Sequence, residues 1–167
     1  MVSIFLYLFQ YTGAFRSVAV GTDERGPYTL IYLDHSGAYH KIVENINTVE
    51  KWAKENNLNC RFTFGEFFDD PEIVEEGRLK SRAGCLFDPP IAMTVQLPEK
   101  FKTAEFPKTK SVVALFNGSP GIGPYKVYPK AQYYMRERKL VRSGSVMEIY
   151  EVLDGNNMRT TYLWPIL

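Results

Sequence analysis

Glu148 lies in a short apolar run that is typical of a β-strand. On strict alternation, its side chain shares a face with those of Val146, Tyr150 and Val152. A carboxylate on an apolar face costs free energy unless it is paired or meets a ligand. A carboxylate among aromatic rings suits an organic cation. If the same face is exposed to water, Glu148 is an ordinary surface residue, and alternation alone does not decide between the two.

Glu66 is a second acid in a similar setting, between Phe64 and Phe68 and on the same predicted face as Phe62. Two facing carboxylates would raise the pKa of one of them and could supply acid–base chemistry. In that case Glu148 and Glu66 would be the catalytic residues of a hydrolase. The alternative is that Glu66 is an exposed residue at a strand edge.

Aromatic residues are frequent in this chain, with 11 Tyr, 11 Phe and 2 Trp. Such a content serves a thick core or an aromatic-walled pocket, and core packing is the alternative for each ring. Tyr162 and Trp164 are the best pocket candidates, because a hairpin turn at 154–157 would place their strand beside that of Glu148. The full set of candidate rings is Tyr28, Tyr32, Tyr39, Phe68, Tyr150, Tyr162 and Trp164.

Other catalytic signatures do not occur in the sequence: there is no Ser-His-Asp pattern, phosphate-binding loop or metal-ligand spacing. We therefore expect no cofactor and no metal. His35 could act as a base, but we expect it to pack the turn before the first helix. Cys60 and Cys85 do not form a CxxC pair, and we expect two small buried thiols, with a disulfide as the alternative.

The bulk composition indicates one globular domain. The chain has 167 residues, of which 45% are hydrophobic, and a net charge of +1, which offers no electrostatic basis for binding nucleic acid. Residues 1–12 form an apolar segment too short to span a membrane, which we interpret as a first strand or the remnant of an anchor. The domain proper is predicted over 13–167.

The predicted elements repeat. Each half, about 13–90 and 91–167, has a strand, a loop, a helix and two further strands, and Glu66 aligns with Glu148. We predict an α+β fold: a pseudo-twofold tandem repeat of a βαββ-type unit, with an antiparallel sheet, two helices on one side and a ligand cleft at the seam. Strands are predicted at 18–20, 28–33, 61–68, 83–87, 101–106, 111–116, 146–152 and 158–164, and helices at 38–56 and ending near 139.

Two short motifs carry a family resemblance. His35, Gly37 and Tyr39 precede the first helix, and residues 147–150 contain Glu148 and Tyr150 in an apolar strand. This pattern resembles the GyrI-like small-molecule-binding domain family. Residues 26–28, 67–71, 80–84 and 136–140 further resemble the branch that includes a testis-expressed ER-phagy receptor, although that branch usually has an apolar residue in place of Glu66.

The resemblance implies the tandem fold and a buried pocket acid at Glu148. It also implies an aromatic cleft for amphipathic, often cationic, organic compounds. Some family members hydrolyse reactive small molecules and others contact proteins, so a hydrolase and a protein-interaction domain are the alternatives. We expect a small organic ligand and no nucleic acid as partner. Membrane contact is expected only through a longer N-terminal anchor.

Overall fold

The computed structural model describes residues 17–92, 95–153 and 157–167. The apolar segment 1–12, interpreted above as a strand or an anchor remnant, lies outside the described residues. Within those residues, no helix is long and apolar enough to cross a membrane.

Within the described residues, eight strands and two α-helices follow one another along the chain. A single 3₁₀ turn, Tyr39–Lys41, leads into the first helix and another, Glu76–Arg78, precedes the fourth strand. The elements are β1 (Ala19–Arg25), β2 (Tyr28–Ser36), α1 (Ile42–Glu55), β3 (Phe62–Phe67), β4 (Lys80–Phe87), β5 (Lys102–Phe106), β6 (Thr109–Asn117), α2 (Gly123–Glu137), β7 (Val146–Val152) and β8 (Met158–Pro165).

The strands form one antiparallel sheet in the order β1-β6-β8-β7-β3-β4-β2-β5. Both helices lie on one face of it, which we call the helix face. Gly65 of β3 lies under Ile42 of α1, and its cross-strand partner Glu148 contacts Tyr128 of α2. Residues directly opposite each other point to the same face. The α+β fold with an antiparallel sheet and two helices on one side is therefore confirmed.

Strand order reads outward from the centre as β3-β4-β2-β5 on one side and β7-β8-β6-β1 on the other. Two βαββ-type units, β2-α1-β3-β4 and β6-α2-β7-β8, account for six strands of this symmetric order, and β5 and β1 add one edge strand to each side. The tandem repeat itself stays a prediction. The leading strands are exchanged between the sides: β1 comes before β2 in the chain but pairs with β6, whereas β5 comes before β6 but pairs with β2.

The sheet is strongly curled. Six strand spacings separate β1 from β2 in the sheet order, or about 29 Å if the sheet were flat. The connection from Arg25 to Tyr28 can span only about 11 Å, so the two edges must approach each other. Gly26 in this link lies against the link between β5 and β6, since a Cβ on Gly26 would be 2.8 Å from the carbonyl oxygen of Pro107.

Curling buries the face of the sheet that carries no helix, which we call the inner face. Tyr28 stacks on Phe106 there, with ring centroids 5.8 Å apart. The sheet thus has two buried faces, one covered by helices and one by its own curvature. The buried inner-face residues are Tyr28, Leu30, Tyr32, Phe64, Leu86, Phe106, Val113, Met147, Ile149 and Leu163.

Cys60 and Cys85 form a disulfide, with their Cα atoms 5.6 Å apart. The expectation of two separate buried thiols is therefore wrong. The bond joins the segment after α1 to β4, where Cys85 pairs with Thr63 of β3. Cys60 lies three residues before that partner, so the strand register brings the two sulfur atoms together. A separation of 25 residues in sequence gave no indication of this proximity.

Candidate functional site

Glu148 lies on the helix face of β7, one of the two central strands, and only 4% of its surface is exposed. Tyr128 of α2 donates a hydrogen bond to Oε1 at 2.9 Å, and Tyr150 donates to Oε2 at 3.0 Å. Among the described residues, no lysine, arginine or histidine forms an ion pair with this carboxylate. Within the described part of the chain, the partners of its charge are therefore two neutral phenols.

Aromatic rings enclose the carboxylate. Tyr128 packs edge-on against Tyr162 and Trp164, with centroid separations of 6.0 and 5.4 Å, and those two rings stack at 6.0 Å. Tyr162 is the cross-strand partner of Glu148. We call Glu148 and these surrounding side chains the Glu148 cluster: Glu148, Tyr128, Tyr150, Tyr162 and Trp164.

Burial raises the pKa of Glu148 to about 7, and the hydrogen bonds from Tyr128 and Tyr150 offset part of that rise. Burial, reinforced by the nearby carboxylate, also raises the pKa values of both tyrosines. The phenols therefore stay protonated and can donate. Near neutral pH the carboxyl group is partly ionised, so it can balance a positive charge or exchange a proton.

The buried hydroxyls of Tyr162, within the cluster, and of Thr160, next to it on β8, are neighbours, but neither makes a well-oriented hydrogen bond with any described residue. Helix α2 begins directly against one of them, since a Cβ on Gly123 would be 2.0 Å from the Tyr162 hydroxyl oxygen. Buried polar groups in proteins nearly always find a partner. A polar atom of a ligand, or a bound water, would supply one here.

Tyr39 lies at the margin of the cluster. Its hydroxyl donates to the carbonyl oxygen of Asp69 at 2.9 Å, its ring packs edge-on to Phe67 at 4.7 Å, and it is close enough to influence the pKa of Tyr128. Gly65, directly opposite Glu148, forms part of the floor between the helices. The structure therefore brings four of the predicted ligand-binding rings to one side of the sheet: Tyr39, Tyr150, Tyr162 and Trp164.

Glu66 lies on the opposite face of the sheet, which corrects the expectation that two acids face each other. Its cross-strand partner is Met147, whose side chain points to the inner face. The Glu66 carboxylate accepts a 2.6 Å hydrogen bond from Nε of Arg82 and another from the hydroxyl of Ser145. Only 5% of Glu66 is exposed. It is neither a second pocket acid nor a residue at an exposed edge, but half of a buried ion pair.

Phe68 is also distant from the Glu148 cluster. Phe68 is 47% exposed, and its ring lies 5.7 Å from the guanidinium of Arg82. The same guanidinium lies over the ring of Tyr32 at 4.6 Å. Tyr28 and Tyr32 likewise belong to the inner face. These three rings do not line the space between the helices, which corrects the prediction for them.

Tyr128 is the cluster residue that sequence reasoning missed. Pro124 and Pro129 left the start of the second helix undefined, so no face could be assigned to the residues between them. The helix begins at Gly123, and its buried residues include Val127 and Ala131. Tyr128 projects from the position after Val127 toward β7. His35 packs the turn before α1 as expected, with Nε2 3.1 Å from the carbonyl oxygen of Ala38.

Among the described residues, no group of three or more His, Cys, Asp or Glu side chains could hold a metal ion. The chemical capacity of the Glu148 cluster is therefore that of one buried acid, three phenols and an indole.

A model of the GyrI-like small molecule binding domain matches residues 23–167. The chain belongs to this GyrI-like family. No curated protein matches it.

Several solved structures have a similar fold. The C-terminal domain of EcmrR gives a TM-score of 0.67 at 12% identity, covering 90% of this chain and 98% of that domain. This chain spans 64% of the longer EcmrR chain solved in a complex with DNA. A hydrolase from Listeria innocua gives 0.57 at 12% identity over 96% of this chain and 98% of its own.

The protein SAV2435, solved with bound tetraphenylphosphonium, gives a TM-score of 0.55 at 11% identity. The match covers 89% of this chain and 94% of SAV2435. At these identities the likeness establishes the fold alone.

Proposed function

We propose that this domain binds small amphipathic organic cations at the Glu148 cluster, between α1 and α2. The observation that carries the proposal is a buried carboxylate whose partners are phenol hydroxyls and whose surroundings are aromatic. A buried carboxylate is stabilised by a positively charged partner, and the faces of the surrounding aromatic rings also attract a cation. The complex of SAV2435 with an organic cation supports the same class of ligand.

Entry to the cluster requires movement, because its polar centre is sealed from solvent. The first two turns of α2 are the natural element to move, since they contribute Tyr128 and rest on the Tyr162 hydroxyl. A displaced Tyr128 would free one oxygen of Glu148 for the ligand while Tyr150 keeps the other bonded. In the complex, the positive charge of the ligand would then take the place of the Tyr128 hydroxyl beside Glu148. The apolar part of the ligand would pack against the aromatic rings of the cluster.

Affinity for a permanent cation should rise with pH. The cation favours ionised Glu148, and with a pKa of about 7 the ionised fraction grows about tenfold between pH 6 and pH 8. Titration calorimetry with tetraphenylphosphonium at both pH values measures the change. Equal affinity at pH 6 and pH 8 in the wild type would contradict the role of this carboxylate.

A thermal-shift screen of tetraphenylphosphonium and amphipathic cationic dyes tests the proposal directly. A ligand present at 100 times its dissociation constant should stabilise the wild type by about 2.7 kcal/mol. The shift should vanish in Glu148→Gln and persist in Glu137→Gln, an exposed acid on α2. If no compound shifts the folded wild type, the cationic-pocket proposal fails and a protein-interaction role becomes the better hypothesis.

Hydrolysis of a reactive small molecule is a second candidate, and the pKa of about 7 for Glu148 favours it. An acid titrating near neutral pH can take a proton from water and return it to a leaving group. Glu66 has no part in this version, since it lies on the inner face. Turnover of an activated ester or epoxide should disappear in Glu148→Gln and continue in Glu66→Gln, and a folded wild type without turnover would exclude it.

We also infer, from the sequence motifs quoted above, that the chain belongs to the branch of the family containing the ER-phagy receptor.

We further infer, from the sequence, a domain that starts near residue 13 and whose halves meet near residue 90. Stability of a fragment beginning at residue 13, compared with one beginning at residue 26, tests the boundary, because the shorter fragment lacks β1 and its pairing with β6.

A further inference from the structure

The inner face contains a cavity of about 270 Å³, which we call the inner cavity. Phe62, Leu86 and Ile149 contribute apolar walls, and Arg25, Asp88 and Arg159 contribute charged ones. The cavity lies on the side of the sheet away from the Glu148 cluster, because Ile149 and Glu148 are adjacent in β7 and point to opposite faces. A wider depression of about 620 Å³ shares Glu151 and Arg159 with it.

Two arginines, Arg61 and Arg159, share one carboxylate at one end of this cavity. Glu151 is 5% exposed, and its carboxylate binds Arg61 Nη2 at 2.7 Å and Arg159 Nε at 3.0 Å. Burial alone would raise the pKa of Glu151, but the bonds from both arginines outweigh burial and lower it. The carboxylate is thus already committed to two arginines. Each guanidinium carries five N–H donors, so both have donors left for another acceptor.

Arg25 adds a third guanidinium at the end of β1. Its Nη2 pairs with Oδ2 of Asp23 at 3.1 Å and its side chain hydrogen-bonds Tyr28, while its Nε is buried and has no partner among the described residues. An unpartnered buried donor is costly, and an oxygen of a bound anion would relieve that cost. Tyr28, beside Arg25, contributes its ring and hydroxyl to the same wall.

We infer that the inner cavity is a second ligand site, specific for a small amphipathic anion. Its carboxylate or phosphate head would lie between Arg25 and Arg159, and its alkyl chain or ring would lie on Phe62, Leu86 and Ile149. Arginine forks suit both head groups. The volume is at the small end for ligand pockets, so we expect a ligand of about 10 to 15 non-hydrogen atoms.

Titration calorimetry with four probes of equal chain length tests this inference: decanoate, decyl phosphate, decanol and decyltrimethylammonium, all kept as monomers in solution. Decanoate or decyl phosphate should bind at least tenfold more tightly than decanol or the ammonium compound. The stronger of the two anions identifies the head group. Equal binding of decanoate, decyl phosphate and decanol, or no binding of either anion, would overturn the proposal.

Variants separate a ligand site from general surface attraction. Arg25→Gln should weaken anion binding at least tenfold, whereas Asp88→Asn should strengthen it, because a carboxylate in the wall repels the ligand. Leu115 also lines the cavity, and Leu115→Trp should abolish binding by filling it. Arg136→Gln, which changes an exposed arginine on α2, is the matched control and should leave binding unchanged.

The same experiment distinguishes this site from the one proposed at Glu148. Decanoate binding should be unaffected by Glu148→Gln, because the two sites lie on opposite faces of the sheet. If Arg25→Gln, Leu115→Trp and wild type, all verified as folded by their thermal melts, bind the anions equally, the inner cavity is not the site. If Glu148→Gln abolishes anion binding, the anions occupy the cleft between the helices instead.

Discussion

Burial of Glu148 makes the stability of the protein depend on pH. The carboxyl group has a pKa near 4.5 when free and about 7 when folded, so the folded state holds its proton more tightly. The favourable contribution is complete below pH 4.5 and is lost as pH rises through 7. The ionised form, which a cation would require, is therefore the form that the empty site accommodates least well.

Replacing this acid should remove that pH dependence. Between pH 4.5 and pH 8, the free energy of unfolding of the wild type should fall by about 3 kcal/mol from this group. Glu148→Gln cannot ionise and should lack this decrease, whereas Glu137→Gln should retain it. Urea denaturation at several pH values provides the comparison, and parallel curves for wild type and Glu148→Gln would show that the pKa is not raised.

Glu66 and Arg82 form a buried ion pair, and we expect the protein to tolerate the loss of both charges better than the loss of one. Arg82→Met leaves a carboxylate in the inner face with Ser145 as its remaining partner, and we expect a loss of about 3–5 kcal/mol of unfolding free energy. The double variant Glu66→Leu/Arg82→Met should recover most of this loss. A double variant no more stable than the single one, measured by urea denaturation, would refute this coupling.

At the scale of elements, the sequence was sufficient to predict most strands but not the faces of the sheet. β3, β7 and β8 lie within a residue or two of their predicted bounds. Alternation normally marks one face as buried and the other as exposed. Here helices cover one face and curvature covers the other, so alternation around Glu66 and around Glu148 looked the same although the two acids face opposite ways.

β1 was the strand predicted least well. It was expected at 18–20, but it continues to Arg25 and pairs with β6 along its whole length. Edge strands tolerate charged residues such as Asp23 and Glu24 because one side of the strand faces solvent. The disulfide and the place of Tyr128 in the cluster were not predictable either. Strand register decides whether Cys60 and Cys85 meet, and the start of α2 decides which way Tyr128 points.

Gly84 shows how closely β4 packs between its neighbours. A Cβ there would be 2.1 Å from the carbonyl oxygen of Ile31 in β2, and backbone in a sheet cannot give way as a side chain can. Gly84→Ala should therefore lower the free energy of unfolding by about 3 kcal/mol or more. Gly77→Ala, where the added carbon meets nothing within 4 Å, should have little effect in the same denaturation experiment.

At the scale of the whole molecule, the disulfide closes a loop that contains β3. With a sequence separation of 25 between Cys60 and Cys85, its chain-entropy contribution is about 3 kcal/mol. Cys60→Ala/Cys85→Ala should lose stability by that order, and dithiothreitol should lower the wild-type melting temperature without affecting the double variant. Identical wild-type melts with and without dithiothreitol would contradict a stabilising disulfide.

The exchanged leading strands also impose an order on folding during synthesis. Among the described strands, β1 leaves the ribosome first, yet its pairing partner β6 lies roughly ninety residues later in the chain. Until β6 emerges, β1 has no strand to join, and the inner face of β2, β3 and β4 stays open on that side. Pairings so distant in sequence form slowly. The first strand made should thus be among the last to dock, and the nascent chain should need protection from aggregation until it does.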